Sequence, residues 1–239
     1  MALLNPVRSA SLSLRVLARL LAYPDQRLRD DLPDLRNALR SEAALAPERL
    51  AELEALIQRL ERGDELLIQA DYVELFDRGR ATSLHLFEHV HGDSRDRGPA
   101  MIDLAQTYEK AGLFLAEGEL PDYLPVVLEF VSTQPPKEAR AFLAEMAHIF
   151  NAIFNALQQR TSAYASILGA LLELSGEKAH AVKIATEESL DASWEEPVVF
   201  DGCSVKGQGK PDQAQPIHFV KTDATRSRQQ VATSAGATP

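Results

Sequence analysis

The sequence predicts an all-α protein, and three observations predict it. Apolar residues recur at helical spacing along most of the chain. No alternating run longer than four residues stands out, so almost no sheet is expected. Prolines and glycines fall where the periodic stretches stop. No internal repeat of fixed period is present.

The first helix is marked by Leu14, Leu17, Leu20 and Leu21 and stopped by Tyr23-Pro24, because proline disfavours helical geometry in the residue before it. A polar second helix is expected over Gln26 to Arg40, with Pro33 as an interruption. Pro47 suits the first turn of a third helix, whose apolar face is Leu50, Leu53, Ile57 and Leu60. Gly63 ends it and Asp64 caps a fourth, running through Leu67, Ile68, Tyr72, Leu75 and Phe76.

Residues 77–99 change character, with Gly79, Gly92, Gly98, Pro99, dense charge and three histidines. They read as a loop, a short helix near Leu84 to Val90 and a second loop. A long helix is expected from Ala100 to Ala116. Asp122 is the expected N-cap of the next, with Pro125 in its first turn. Pro135-Pro136 ends that helix. The strongest pattern follows: Phe142, Met146, Ile149, Ile153 and Leu157, flanked by Leu143, Phe150 and Phe154. So wide an apolar face predicts one helix central to the core. A last helix carries Tyr164, Ile167, Leu168, Leu171 and Leu172 and ends near Gly176.

Val198-Val199-Phe200 is the last compact apolar cluster. From Asp201 onward, 24 of 39 residues are Gly, Ser, Gln, Thr, Ala or Pro. Such a tail buries too little apolar surface to offset its ordering entropy, so disorder is expected over 201–239 and one folded domain over 1–200. The 239 residues and 45% hydrophobic content suit that division.

Net charge is -10, which disfavours nucleic acid as a partner and favours a basic one. Cys203 is the single cysteine, so a disulfide framework or a cysteine-rich metal site is excluded within one chain, and a reducing compartment is expected. Arg8, Arg15 and Arg19 interrupt the N-terminal apolar residues, so no signal peptide is read. No stretch approaches 18 apolar residues, so no membrane span is expected. The expected location is the cytoplasm.

The motifs carry little catalytic chemistry. His85-Leu-Phe-Glu88-His89 matches the inverted zinc-protease pattern, which would place two imidazoles on one helical face. No third ligand stands out, and the alternative is that the histidines cap, bridge to Glu88 or Asp93, or line a partner groove. Gly207-Gln208-Gly209 has no preceding strand and fails as a phosphate loop. Cys203 reads as an incidental thiol. Tyr72, Leu75 and Phe76 form an apolar cluster flanked by Asp71, Glu74 and Asp77. Core packing is the ordinary reading; a groove wall with an acidic rim, receiving a basic amphipathic helix, is the functional one.

Longer motifs are more specific. Tyr72-Val-Glu-Leu-Phe-Asp-Arg-Gly-Arg80, the run Ser83 to Gly98, Glu119-Leu-Pro-Asp-Tyr-Leu-Pro-Val-Val-Leu-Glu-Phe130 and Trp194-Glu-Glu-Pro-Val-Val-Phe200 together resemble the NarJ family, also called the nitrate reductase delta subunit family. The resemblance spans about residues 10–200. NarJ lies within the wider TorD/DmsD group of redox-enzyme maturation chaperones, whose frequent Pro-Asp-His is here Pro121-Asp122-Tyr123, pointing to the NarJ branch.

The resemblance implies a single-domain helical bundle of the TorD type without catalytic activity, resident metal or cofactor. It implies a partner, the catalytic (alpha) subunit of respiratory nitrate reductase, held by its N-terminal leader-like segment while molybdenum cofactor is inserted and before membrane docking. Molybdenum cofactor delivery proteins are further expected partners. The client-binding residues expected on this reading are Tyr72, Leu75, Phe76, His85, Glu88, His89, Asp122 and Tyr123. The alternatives are a chaperone for a different molybdoenzyme, a zinc hydrolase using His85, Glu88 and His89, and a plain helical scaffold.

Overall fold

Leucines at three- and four-residue spacing give α1 (Ser11–Leu21) a continuous buried stripe of Leu14, Leu17, Leu20 and Leu21. In the computed structural model, which describes residues 9–92 and 94–181, this helix is the axis of the fold. It packs along α7 (Leu124–Ser132) and against α2 (Gln26–Glu42). A second layer is α10 (Ala165–Ser175), which packs on α9 (Ala147–Gln159), α8 (Pro136–Glu145) and α3 (Pro47–Arg62). The described residues contain ten α-helices, one 3₁₀ turn at Arg80–Thr82 and no strand. None of the helices is long and apolar enough to cross a membrane.

Local chemistry sets most boundaries. The Asp25 carboxylate accepts the Leu28 N–H at 2.8 Å and caps α2, and that bond holds its carboxyl below the usual range. Pro47 opens α3, and Asp64 accepts the Leu67 N–H at 3.1 Å to cap α4 (Glu65–Phe76). Gly176, at φ +85°, closes α10 in the left-handed conformation that suits glycine.

Four boundaries differ from the sequence reading. Pro33 does not interrupt α2, which runs through it to Glu42. An interior proline costs about 3 kcal/mol, but Leu28, Leu32 and Leu39 are buried on either side of it. Each contributes about 1.5–3 kcal/mol by burial, so packing wins. The apolar pattern over 142–157 is two helices, α8 and α9, meeting at Met146. The turn there keeps Leu143 buried before it and Ile149, Phe150 and Ile153 after it, so periodicity survives the bend. Helix α6 (Arg97–Lys110) starts earlier than Ala100 and stops well short of Ala116. Gly112, at φ +79°, ends it and sends Leu113-Phe114-Leu115 into irregular structure. Asp122 is not the N-cap of α7: Tyr123 holds that position, without a side-chain cap bond.

The core is one cluster. Leu17, Leu128, Phe150, Ile153 and Leu171 are completely buried within it. Tyr72 and Phe76 of α4 join it at one edge, through ring contacts with Tyr164 at 6.1 and 5.1 Å. Helix α5 (Leu86–Val90) and α6 attach more loosely: of α6's 14 residues only Tyr108 is buried. The Val198–Phe200 cluster and the tail 201–239 lie outside the described residues, as do the far end of the expected 1–200 domain and Cys203.

Candidate functional site

One buried carboxylate organises the edge of the bundle. Asp122, 0% exposed, lies between the proline that follows α6's loop and the start of α7. Its Oδ2 accepts the Phe87 N–H at 3.2 Å, so it caps α5 from another part of the chain. Its Oδ1 stands 3.3 Å from His85 Nδ1, and the Arg97 guanidinium lies 3.8 Å from Oδ2. Arg97 also lies 3.6 Å from Glu88 Oε1. A buried carboxylate without partners would be strongly destabilising; here a backbone amide, an imidazole and a guanidinium meet it.

The backbone reinforces this arrangement. The Leu86 N–H donates to Asp122 O at 3.0 Å, and the Leu124 N–H donates to Leu84 O at 2.8 Å. These bonds make an isolated antiparallel bridge between His85 and Tyr123. His85 stacks on Tyr123 with ring centroids 5.4 Å apart. The hydrogen bond to Asp122 pushes the His85 imidazole above its ordinary value, against the opposing effect of burial.

An aromatic floor lies beneath. The Tyr72 hydroxyl donates to Leu21 O at 2.7 Å and approaches the Tyr123 hydroxyl at 3.4 Å. Tyr72 packs on Phe76 at 4.8 Å. Burial pushes the Tyr72 and Tyr123 phenols up, so both stay neutral donors.

The eight residues singled out in the sequence therefore come into one neighbourhood but occupy different depths. His85, Glu88, His89 and Tyr123 are half-buried at the surface, Asp122 is wholly inside, and Tyr72, at 4% exposure, and Phe76 belong to the core. Leu75 is partly buried against that core. The paired-imidazole geometry of the zinc-protease reading does not form. His85 lies outside α5 as its N-cap and faces Asp122, whereas His89 Nε2 meets Ser83 O at 2.9 Å. Among the described residues no group of three His, Cys, Asp or Glu is placed to hold a metal.

Three members of the site escape sequence reasoning. Arg97 joins Asp122 to Glu88, Ser83 holds the His85 and His89 segment, and the Tyr108 hydroxyl donates to Pro121 O at 2.8 Å. A cation was the readable signal, since a buried aspartate needs one, but Arg95 and Arg97 compete for that part.

The family's sequence profile, nitrate reductase delta subunit, matches residues 25–168, which include the Asp122 knot and its aromatic floor. The chain belongs to that family. It is 42% identical over 198 residues to the nitrate reductase molybdenum cofactor assembly chaperone NarJ of Escherichia coli K12, covering 79% of this chain and 84% of that relative. It is 39% identical over 196 residues to a second protein of that strain, NarW, described as a probable chaperone of the same kind, covering 78% and 82%. It is 34% identical over 156 residues to a Bacillus subtilis strain 168 protein, described as a probable NarJ, covering 65% and 84%. The crystal structure of a redox enzyme maturation protein from Archaeoglobus fulgidus superposes with a TM-score of 0.50 at 21% identity, covering 74% of this chain and all of that one. At that identity the match speaks for the fold alone: this chain and that protein share a helical bundle.

Proposed function

We propose that the chain is a system-specific chaperone of respiratory nitrate reductase. It binds the N-terminal segment of the catalytic subunit in the cytoplasm and holds that subunit for molybdenum cofactor insertion before membrane docking. The observation that carries this reading is the 42% identity, over most of both chains, to a relative named for that assembly role.

The client surface we propose is the edge around the Asp122 knot. His85, Glu88, His89 and Tyr123 face the client; Asp122 holds them from behind, Tyr72, backed by Phe76, meets the Tyr123 hydroxyl, and Leu75 packs on the core beside them. The supporting geometry is a surface of half-buried aromatic and imidazole rings on a rigid hydrogen-bonded base, the kind of patch that anchors a peptide helix. The exposed Asp77 nearby favours a basic client segment, whereas Asp71 and Glu74 are paired with Arg59 and Arg78. A leader that folds on binding loses ordering entropy at that moment, which keeps affinity low enough for release. The chain performs no bond chemistry on this reading.

Deleting the chain from nitrate-respiring cells tests it. The catalytic subunit is then expected to accumulate without molybdenum, and the wild-type chain in trans to restore it. Full molybdenum content without the chain would refute the proposal. Loss of molybdenum from another enzyme alone would assign the chaperone to that client.

A further inference from the structure

A cleft of about 430 Å³ lies between α7 and the irregular segment released where α6 stops at Gly112. Tyr108, Val126 and Phe130 line it, with the two rings 4.8 Å apart. Phe114 walls it and is 79% exposed, so burial of that ring by an occupant is favourable. Glu119 and Glu129 line it too; both are exposed, and neither has an ion-pair partner among the described residues. Arg15, the cation of the lining, has its Nε committed to the Ser132 hydroxyl at 3.1 Å. An occupant that matches this lining carries apolar side chains and a cation.

The chain itself supplies such a segment nearby. Leu3-Leu4-Asn5-Pro6-Val7-Arg8 holds three apolar residues followed by a cation. It joins the described residues at Ser9. Ser9 and Ser132 line one small concavity at the start of α1, and Ser132 also lines the cleft. The Ser11 hydroxyl donates to Ser132 O at 2.6 Å, which pins the start of α1 to the end of α7 that borders the cleft. Glu129 lies one helical turn back along α7 from Ser132 and Thr133, so it is the carboxylate nearest to that entry, and Phe114 lies farther in. Five residues, Leu4 to Arg8, span about 17 Å when extended, more than the width of a cleft of this volume. A short tether also holds a segment at an effective concentration of about millimolar, so a contact of only millimolar intrinsic affinity is already substantially occupied.

We propose that Leu3–Arg8 folds back into this cleft of its own chain, with Arg8 against Glu129 and the leucines against Phe114 and Phe130. The contact is an intramolecular cover. It removes the Phe114 ring from water and ties the start of α1, at the axis of the fold, to the irregular segment after α6, a helix that buries only Tyr108. It is independent of the His85–Tyr123 surface, none of whose residues lines the cleft.

The test uses the full chain with Cys203→Ser and Leu4→Cys, a nitroxide on the new thiol, and NMR amide intensities compared before and after the nitroxide is reduced. Loss of intensity is expected at Phe114, Leu115 and Glu129, and none at Gln58 on α3. Glu129→Lys is expected to restore the Phe114 signal, and Arg8→Glu added to that variant to remove it again, because the pair is then re-formed with its signs exchanged. Glu129 is exposed, so circular dichroism should be unchanged by its replacement. A mixture of nitroxide-bearing protein without isotope and isotope-labelled protein without nitroxide is expected to show no loss. Loss in that mixture would seat the segment on a second copy and overturn the intramolecular contact. Undiminished signals at Phe114 and Glu129 in the nitroxide-bearing chain, an equal loss at Gln58, a loss that Glu129→Lys leaves unchanged, or a charge exchange that fails to bring it back would overturn the proposal as well.

Discussion

Leu17, Leu128, Phe150 and Leu171 are completely buried in the α1–α7–α9–α10 packing, whereas α6 commits a single residue, Tyr108, to the interior. The two regions are held by different physics. The first rests on apolar burial, which is non-directional and spread over many contacts. The second, residues 83–123, rests on a few directional bonds that converge on Asp122. Spread burial gives a scaffold that opens only by global unfolding. Convergent bonds give an edge that opens locally, and binding surfaces are commonly drawn from such low-stability parts.

The largest expected effect tests the first half of this contrast. Phe150→Ala removes a fully buried ring and should destabilise the whole fold by about 3–5 kcal/mol, read as a lower urea midpoint. Loss confined to one element would break the comparison. Asp122→Ala should be smaller and local. It removes the Phe87 cap and the anchor of His85 and Arg97, a loss of about 2 kcal/mol. Hydrogen exchange should show the Leu86 and Phe87 amides opening while amides in α9 and α10 keep their protection. Uniform loss would mean that the edge is part of the core.

The smallest effect is a pH dependence. The His85 value is raised in the folded state, so its bond to Asp122 stabilises the edge fully below the ordinary histidine value of about 6.5 and fades as pH rises through the raised value. NMR titration should place His85 above the ordinary value, and Asp122→Asn should bring it down. Edge protection that instead grows as pH rises would reverse the sign of the assignment.

The first region was the more legible in sequence. Periodicity located the scaffold helices apart from the break between α8 and α9, because burial acts through spacing alone, and Leu14, Leu17, Leu20 and Leu21 state their face directly. Spacing does not register a bend that preserves the buried face, which is why α8 and α9 read as one helix across Met146. Pro33 misled because its local penalty is visible in sequence and the flanking burial is not. In the second region the residue types were legible and their partners were not. Asp122 reads as a cap for the helix that follows it, yet it caps α5, 35 residues earlier in the chain. The eight residues proposed for the client surface lie in one neighbourhood, but their depth was not legible, since Tyr72 and Tyr123 look alike in sequence and differ in burial.

Hydrogen exchange of the full chain, with and without the N-terminal segment of the nitrate reductase catalytic subunit, tests the account most directly. The predicted result is added protection at Leu86, Phe87 and Leu124, around the Asp122 knot, with α9 and α10 unchanged. No added protection there, or protection confined to the scaffold helices, would contradict the claim that the hydrogen-bonded edge is where this chain meets its client.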